Sequence, residues 1–454
     1  MAYISYNPWT GRTMATFPEM ADREIEDIVS AAGDAFRKWR HVPPARRCDL
    51  LRSMAEQLKS RRREVAEIMA TEMGKPVSQG MAEADKCALL CSWYADHAAA
   101  MLKPERRESS ARESYVYYEP QGIILGIMPW NFPFWQVFRF IVPALTGGNG
   151  ALLKHASNVP QCALSIEEIV RASGYPDGLF RTLFPTHDQV SALISSPLVR
   201  GVSLTGSNTA GSSVAAIAGK NLKKVVMELG GSDPFIVFPD ASLEKAVEAA
   251  VFSRFQNCGQ SCIAAKRLII HADIYEAFRD RLKDKVLSLK TGDPLDISTD
   301  VGPMVNGGAA DELERQLDLT LRAGAKLLCG GRDQDSGPAV FLPSVVEQVP
   351  VTAPLACEEV FGPVVPLFTF ESVAEAVKMA NDTPFGLGAA VWTSDESLAL
   401  DVARQIDTGT VAINGFVKSE PGLPFGGVKE SGFGRELATE GLREFMNIKT
   451  ISIF

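Results

Sequence analysis

Apolar side chains recur at helical spacing through the first hundred residues. In residues 23–40, Ile25, Ile28, Val29, Ala32, Phe36 and Trp39 form one stripe behind Asp22, a candidate cap, which predicts an amphipathic helix. Two more helical stretches follow at about 45–73 and 80–102, and the Tyr- and Val-rich residues 114–119 predict an extended strand. From Gly122 the period changes. Short apolar runs at 123–128, 150–154, 180–184, 199–204 and 223–227 alternate with helical segments at 134–145, 159–173, 187–195 and 207–219. Strands joined by helices imply a parallel, doubly wound sheet, which binds ligands beyond the carboxyl ends of its strands. Residues 129–131, 154–157, 204–207 and 228–230 are therefore expected to line one crevice. A second α/β segment spans about 231–430, with strands at 235–238, 264–270, 339–343, 364–369, 388–392 and 410–413. Helices at about 242–256, 274–290, 308–323, 372–380 and 396–406 cover it. Residues 448–454 alternate apolar and polar, and an unpaired strand there needs cover, most simply from a partner subunit.

Composition adds limits. A chain of 454 residues with 46% hydrophobic side chains builds large cores and about three domains. The net charge of −9 argues against nucleic acid or an anionic membrane as a partner. The basic run Lys59-Ser60-Arg61-Arg62-Arg63 lies in a helical pattern and is read as a solvated face. The uncharged run from Pro120 to Phe138 is long enough to cross a bilayer, but Gly122, Gly126, Pro129, Asn131 and Pro133 break it into strand, turn and helix start. Eight cysteines without a framework spacing, and a start lacking a basic and an apolar signal region, predict a reducing, cytoplasmic setting. Cys87 and Cys91 could form half a metal site. No second pair stands at ligand spacing, so core packing is expected and no metal.

Several stretches carry chemistry. Residues 255–267 set Cys262 in a Gly-containing turn between a helix-like and a strand-like run, where backbone amides can gather around a thiolate nucleophile. Met227-Glu228-Leu229-Gly230-Gly231 ends a strand with a carboxylate and two glycines, either a solvated strand end or a place where backbone approaches a ligand. The stretch from Leu204 to Gly211 opens a helix whose N-terminus can hold a phosphate, yet it matches neither the Rossmann nor the P-loop fingerprint. In Pro129-Trp130-Asn131-Phe132-Pro133 the asparagine is either a helix cap or an amide donor for an oxyanion. Trp135 and Arg139 lie one helical turn apart on one face, and an arginine in so apolar a run needs a counter-charge, in the protein or on a substrate.

Taken together these motifs resemble the aldehyde dehydrogenase superfamily along the whole chain. Asn131 in PWNFP, Lys154 in LLKHAS, Ser207 in LTGS, Glu228 in MELGG, Cys262 in GQSC, Glu359 and Phe361 in EEVFGP, and the PFGG at 424–427 fall in the family's order and spacing. The resemblance implies an α/β fold of two doubly wound domains plus a β oligomerisation arm. Residues 1–113 and 125–229 would form the nucleotide-binding domain, 230–430 the catalytic domain, and 114–124 with 431–454 the arm and C-terminal strand. It further implies a homodimer or a dimer of dimers. The family's roles map Cys262 as nucleophile, Glu228 as general base, and Asn131 with the Cys262 backbone N–H as oxyanion hole. Trp130, Lys154, Ser157, Ser207, Leu229, Glu359 and Phe361 would hold the cofactor, and Trp135, Arg139, Ser261, Ser419 and Phe425 the substrate.

Within the superfamily the chain is most similar to succinate-semialdehyde dehydrogenases. Arg139, eight residues past Asn131, and Ser419, five residues before PFGG, match their substrate-carboxylate positions. Three positions depart from the pattern. Gln256 stands where some relatives carry a second arginine, Ala264 replaces a second cysteine, and His155 replaces a proline after the lysine. Cys258 leaves another redox pairing with Cys262 open. Ser157 replaces a glutamate that would repel a 2′-phosphate, so NADP is expected over NAD. The expected reaction is oxidation of succinate semialdehyde to succinate through a thiohemiacetal and a thioester. Glutarate semialdehyde or another short aliphatic aldehyde is the alternative substrate; a cofactor-independent thiol hydrolase and a nucleotide-binding protein without turnover are the alternative classes.

Overall fold

The computed structural model describes residues 2–454. Two mainly parallel sheets dominate it. The first has six strands in the order Gly432–Phe433, Lys224–Glu228, Val199–Thr205, Ile123–Met128, Gly150–His155 and Phe180–Leu183, of which only Gly432–Phe433 is antiparallel. All five strands expected there are present, within a residue or so at each end. They read as near-continuous apolar runs because both faces are covered. Ile123, Leu125 and Leu152 enter one core, while Ile124, Leu153 and Ala151 enter another on the opposite face, the two-residue alternation of a strand.

The second sheet has seven strands, Lys326–Arg332, Phe341–Glu347, Val364–Phe370, Ala265–His271, Asp233–Val237, Gly388–Trp392 and Thr410–Ile413, with only the first pair antiparallel. A separate three-stranded antiparallel sheet joins Met446–Ile453, Glu113–Pro120 and Glu105–Arg107.

Several elements differ from expectation. The helix at Asp22–Trp39 is capped by the backbone of Ala21 with no side-chain bond, and Asp22 is its first residue, acting on the helix dipole. The single stretch expected at 45–73 is two helices, Pro44–Ser60 and Arg62–Met73, broken at Arg61. The basic run therefore straddles a joint, and its charges are answered by neighbours such as Glu56, Glu64 and Glu67. The strand expected at 339–343 runs instead from Phe341 to Glu347. Lys326–Arg332 carries Gly330 and Gly331, which hid its strand character, and the N-terminal hairpin of Tyr3–Asn7 with Arg12–Phe17 was not expected at all. Residues 431–445, grouped by sequence with the arm, add a strand to the first sheet and put Leu437, Leu442 and Phe445 into its core. Cys87 and Cys91 are fully buried core residues. No described helix is long and apolar enough to cross a membrane.

Candidate active site

Parallel pairing brings the carboxyl ends of four strands to one edge of the first sheet. Met128 lies beside His155, Ile127 beside Leu204, and Thr205 beside Glu228. The chain reverses direction across the sheet at Ile123–Met128, which has the Gly150 strand on one side and the Val199 strand on the other. That is where doubly wound sheets hold ligands.

Cys262 faces this edge from the second sheet. The helix Leu243–Phe255 ends, and Asn257, Cys258 and Gly259 follow with φ of 53°, 55° and 68°. Three successive left-handed residues, two of them not glycine, need outside support. Asn257 supplies it: its backbone N–H donates to Gln79 Oε1 (2.7 Å) and its Nδ2 to the carbonyl of Asn131 (2.7 Å). Gln260 accepts from the Val305 N–H (2.9 Å) through its side chain. Cys258 points into the core of the second sheet, whereas Cys262 packs against the core of the first, so one turn sends the two thiols to opposite sides.

Asn131 is buried and is not a cap. The following helix, Trp135–Thr146, starts later, and the buried N–H groups of Phe134 and Trp135 at its start both donate to Glu83 Oε1 at 2.9 Å. Glu83 also pairs with the buried Lys75. The Asn131 amide is oriented from both ends: Gln136 Nε2 donates to its Oδ1 (3.1 Å), and its Nδ2 donates to the Gln260 carbonyl (3.0 Å). One Nδ2 hydrogen is thereby committed to the cysteine loop, leaving the second as a donor. His155 braces the same turn. Its Nε2 lies 2.9 Å from the Pro133 carbonyl, and its Nδ1 lies 2.9 Å from the Ala156 nitrogen and 3.2 Å from the Met128 carbonyl. Burial holds its pKa down at about 4.

Glu228 ends its strand with its carboxylate buried and both oxygens without a hydrogen-bond partner among the described residues. Burial raises its pKa well above the usual carboxylate range; Arg139 opposes that rise, and Glu436 adds to it. Burial also pushes the Cys262 thiol up to about 11, against the pull of Lys266 and Arg139. Cys262, Ser261, Trp135, Arg139, Ser419 and Phe425 line one cavity of about 860 Å³. Arg139 forms a buried ion pair with Glu436, and its guanidinium lies 4.7 Å from the Phe425 ring centre. Ser419 Oγ accepts from Trp135 Nε1 (2.9 Å) and from Lys86 Nζ (3.0 Å).

The remaining expected residues lie outside the lining of this cavity. Trp130 and Phe361 meet edge to face at 5.9 Å. Glu359 pairs with Lys266 and accepts from the Gly231 N–H (3.1 Å), next to Leu229, whose own N–H donates to the Ser431 carbonyl (3.0 Å). Ser207 caps the helix Asn208–Lys220 through Ala210 N–H. Lys154 is largely buried, its pKa lowered by desolvation, and has no carboxylate partner among the described residues; its ammonium lies 6.0 Å from the Tyr3 ring centre. Ser157 is exposed, and its carbonyl accepts from the Ile4 N–H (2.9 Å), so the N-terminal hairpin borders this site. A helix N-terminus, an unpaired lysine and no nearby fixed acid at 157 fit a phosphate-bearing nucleotide.

Sequence reasoning missed Glu83, Gln136, Asn257, Gln260, Lys266, Glu436 and Lys86. Each is an ordinary polar residue in a helix or loop, and only its contacts single it out. Comparison with known proteins agrees with the motifs. The Aldehyde dehydrogenase family model matches residues 2–451. A probable succinate-semialdehyde dehydrogenase [NADP(+)] of Synechocystis is 47% identical over 453 residues, and succinate-semialdehyde dehydrogenase [NADP(+)] 1 of Mycobacterium tuberculosis is 45% identical over 456, each comparison covering 100% of both chains. The solved succinic semialdehyde dehydrogenase of Streptococcus pyogenes, in complex with NADP+, superposes with a TM-score of 0.97 at 37% identity, again over 100% of both chains. With these relatives matched from end to end, and the cysteine, asparagine and glutamate motifs on facing edges of two sheets, the chain belongs to the aldehyde dehydrogenase family.

Proposed function

We infer that this protein oxidises succinate semialdehyde to succinate with NADP+ as the preferred cofactor and NAD+ as the weaker one. The observation that carries the reading is the double anchoring of Asn131, which joins an oriented amide donor to the loop bearing Cys262. Cys262 attacks the aldehyde carbon as the thiolate, its proton having passed to solvent, and the free Nδ2–H of Asn131 with the Cys262 backbone N–H stabilises the oxyanion of the thiohemiacetal. When bound, the dinucleotide supplies the hydride acceptor that converts this adduct to a thioester. Glu228 in its carboxylate form, which the Arg139 charge favours against burial, takes a proton from the water that cleaves the thioester. Trp130, Lys154, Ser157, Ser207, Leu229, Glu359 and Phe361 are assigned to the cofactor. Lys154 in particular, without a carboxylate partner among the described residues, suits a 2′-phosphate.

In this reading the first sheet is the nucleotide-binding domain and the second the catalytic one. The antiparallel sheet ending at Ile453 is the oligomerisation arm of a cytoplasmic homodimer or dimer of dimers. The test is formation of reduced cofactor from succinate semialdehyde, compared with butanal and with glutarate semialdehyde, with NADP+ and with NAD+. Cys262→Ala is expected to abolish oxidation while NADP+ still binds. Glu228→Gln is expected to keep a burst of reduced cofactor and to slow the turnover that follows. Ester cleavage by Cys262 with no cofactor reduction would make the protein a thiol hydrolase instead.

A further inference from the structure

Lys266 stands at the start of the strand Ala265–His271, and its side chain is wholly buried. Pairing with the neighbouring strand Asp233–Val237 shifts register at this point: Ala265 lies opposite Asp233 and Arg267 opposite Pro234, which leaves Lys266 without a partner across the pair. An extra residue in one strand re-aims its side chain, a device common beside active sites. Here the ammonium is turned to the cysteine loop. It donates to the Cys262 carbonyl (3.1 Å) and to the Gly231 carbonyl (2.6 Å) and pairs with Glu359, so all three of its hydrogens have acceptors. Those acceptors belong to the nucleophile itself, to the loop that follows Glu228, and to the carboxylate assigned to the cofactor. The Gly231 N–H donates to the same Glu359 oxygen (3.1 Å), and a Cβ at Gly231 would lie 2.7 Å from the Cys262 carbonyl oxygen. The two loops therefore meet backbone to backbone, with Lys266 as their clamp. A neutral amide could serve two carbonyls, and a buried ion pair is often no more stable than an apolar replacement, so stability alone does not call for a charge here.

We propose that Lys266 is a positioning residue for the oxidation: it locks the Cys262 backbone to Glu359, and it sets a fixed positive charge beside the thiol that becomes the nucleophile. The link to Glu359 rests on the dehydrogenase reading, whereas the effect on the thiol does not. Lys266, followed by Arg139 on the helix Trp135–Thr146, favours the thiolate, while Glu359 and Glu228 oppose it. Burial keeps the thiol pKa at about 11 in spite of the two cations, so in mildly alkaline solution the rate of alkylation follows the thiolate fraction directly.

The experiment measures the rate at which iodoacetamide alkylates Cys262 in the cofactor-free enzyme at about pH 8.5, read on the Cys262 peptide by mass spectrometry so that the exposed Cys357 does not contribute. Lys266→Met and Lys266→Gln are expected to react about tenfold more slowly than the wild type, the effect of one lost neighbouring charge, with Lys266→Arg restoring most of the rate. Glutamine keeps donors for the carbonyls and removes only the charge, so a merely structural lysine would leave the Lys266→Gln rate unchanged. Glu359→Gln keeps Lys266 and removes a carboxylate that opposes it, and its rate should rise about threefold, less than the change at Lys266 because its effect on the thiol is the weaker. That variant decides the question should the Lys266 variants fail to fold. In titrations of tryptophan fluorescence, Lys266→Met should weaken NADP+ binding about fivefold, and should add nothing in a Glu359→Gln background because the loss runs through Glu359. Additive losses would overturn the link to Glu359. A wild type that binds no NADP+ would defeat the dehydrogenase reading, with the alkylation rates still judging Lys266. Wild-type rates in Lys266→Met and Lys266→Gln, or no rise in Glu359→Gln, would overturn the role of Lys266 and leave that reading standing.

Discussion

At the scale of single residues, two side chains that depart from their motif positions, Ser157 and His155, carry separate predictions. In the proposed reading, Ser157, three residues after Lys154, adds no charge where a carboxylate would repel the 2′-phosphate of NADP+. Ser157→Glu is expected to reverse the cofactor preference, read as the ratio of kcat/KM for NADP+ to that for NAD+; an unchanged ratio would move the selection elsewhere. His155, in place of a proline, ties strand end to turn through the Met128 and Pro133 carbonyls. The unfolded chain takes up a proton below about pH 6.5, whereas the folded imidazole resists until about 4. Its contribution is therefore complete above about pH 6.5 and lost as the pH falls toward 4, about 3 kcal/mol over the whole window. His155→Gln cannot take up this proton. Its deficit in thermal midpoint relative to the wild type should be largest at pH 7 and shrink by pH 4.5.

At the scale of elements, the start of the helix Trp135–Thr146 depends on a carboxylate from another helix. Glu83 takes the two N–H groups that a local cap would otherwise accept, and Lys75 balances its charge in a fully buried pair. Removing one partner strands the other in the interior, which costs about 3–5 kcal/mol. Glu83→Ala should lower the urea midpoint accordingly and also slow turnover, since the turn it holds carries Asn131. Combining Lys75→Met with Glu83→Gln should recover stability in part, because no unpaired charge then remains. The PWNFP pattern announces a strand-to-helix turn, but a cap supplied from so far along the chain leaves no local trace. The cysteine loop behaves the same way: the glycine at 259 signals a turn, while the left-handed Asn257 and Cys258 beside it are held by bonds to Gln79 and Asn131.

At the scale of the whole molecule, the strand Met446–Ile453 pairs through eight residues with Glu113–Pro120 and leaves its other edge open. Ile448, Ile451 and Ile453 on it are 64%, 43% and 39% exposed, a long apolar edge that natural proteins cover. The double variant Ile448→Lys/Ile451→Lys should convert the proposed dimer or dimer of dimers to monomers in sedimentation velocity. A wild type that sediments as a monomer would remove the need for that edge to be covered by a second copy.

What the sequence determined by itself was whatever is written in local periods. Alternating apolar runs and helical stripes located both α/β sheets, because a strand buried on two faces and a helix packed on one leave distinct patterns within a dozen residues. The order and spacing of short motifs placed Asn131, Glu228 and Cys262 at strand ends and turns. Tertiary structure decided the partners. The Asn131 amide is oriented by the Gln260 carbonyl 129 residues away, and Arg139 forms a buried ion pair with Glu436 while it lines the cavity of Cys262. Two cysteines four positions apart go to different cores. Lys86 reads in the sequence as one polar residue on a helix, and only folding brings it against Trp135 and Ser419. Hydrogen bonds and charge pairs form between groups that meet in space, and the burial that gives them their strength exists only once the sheets have closed on each other.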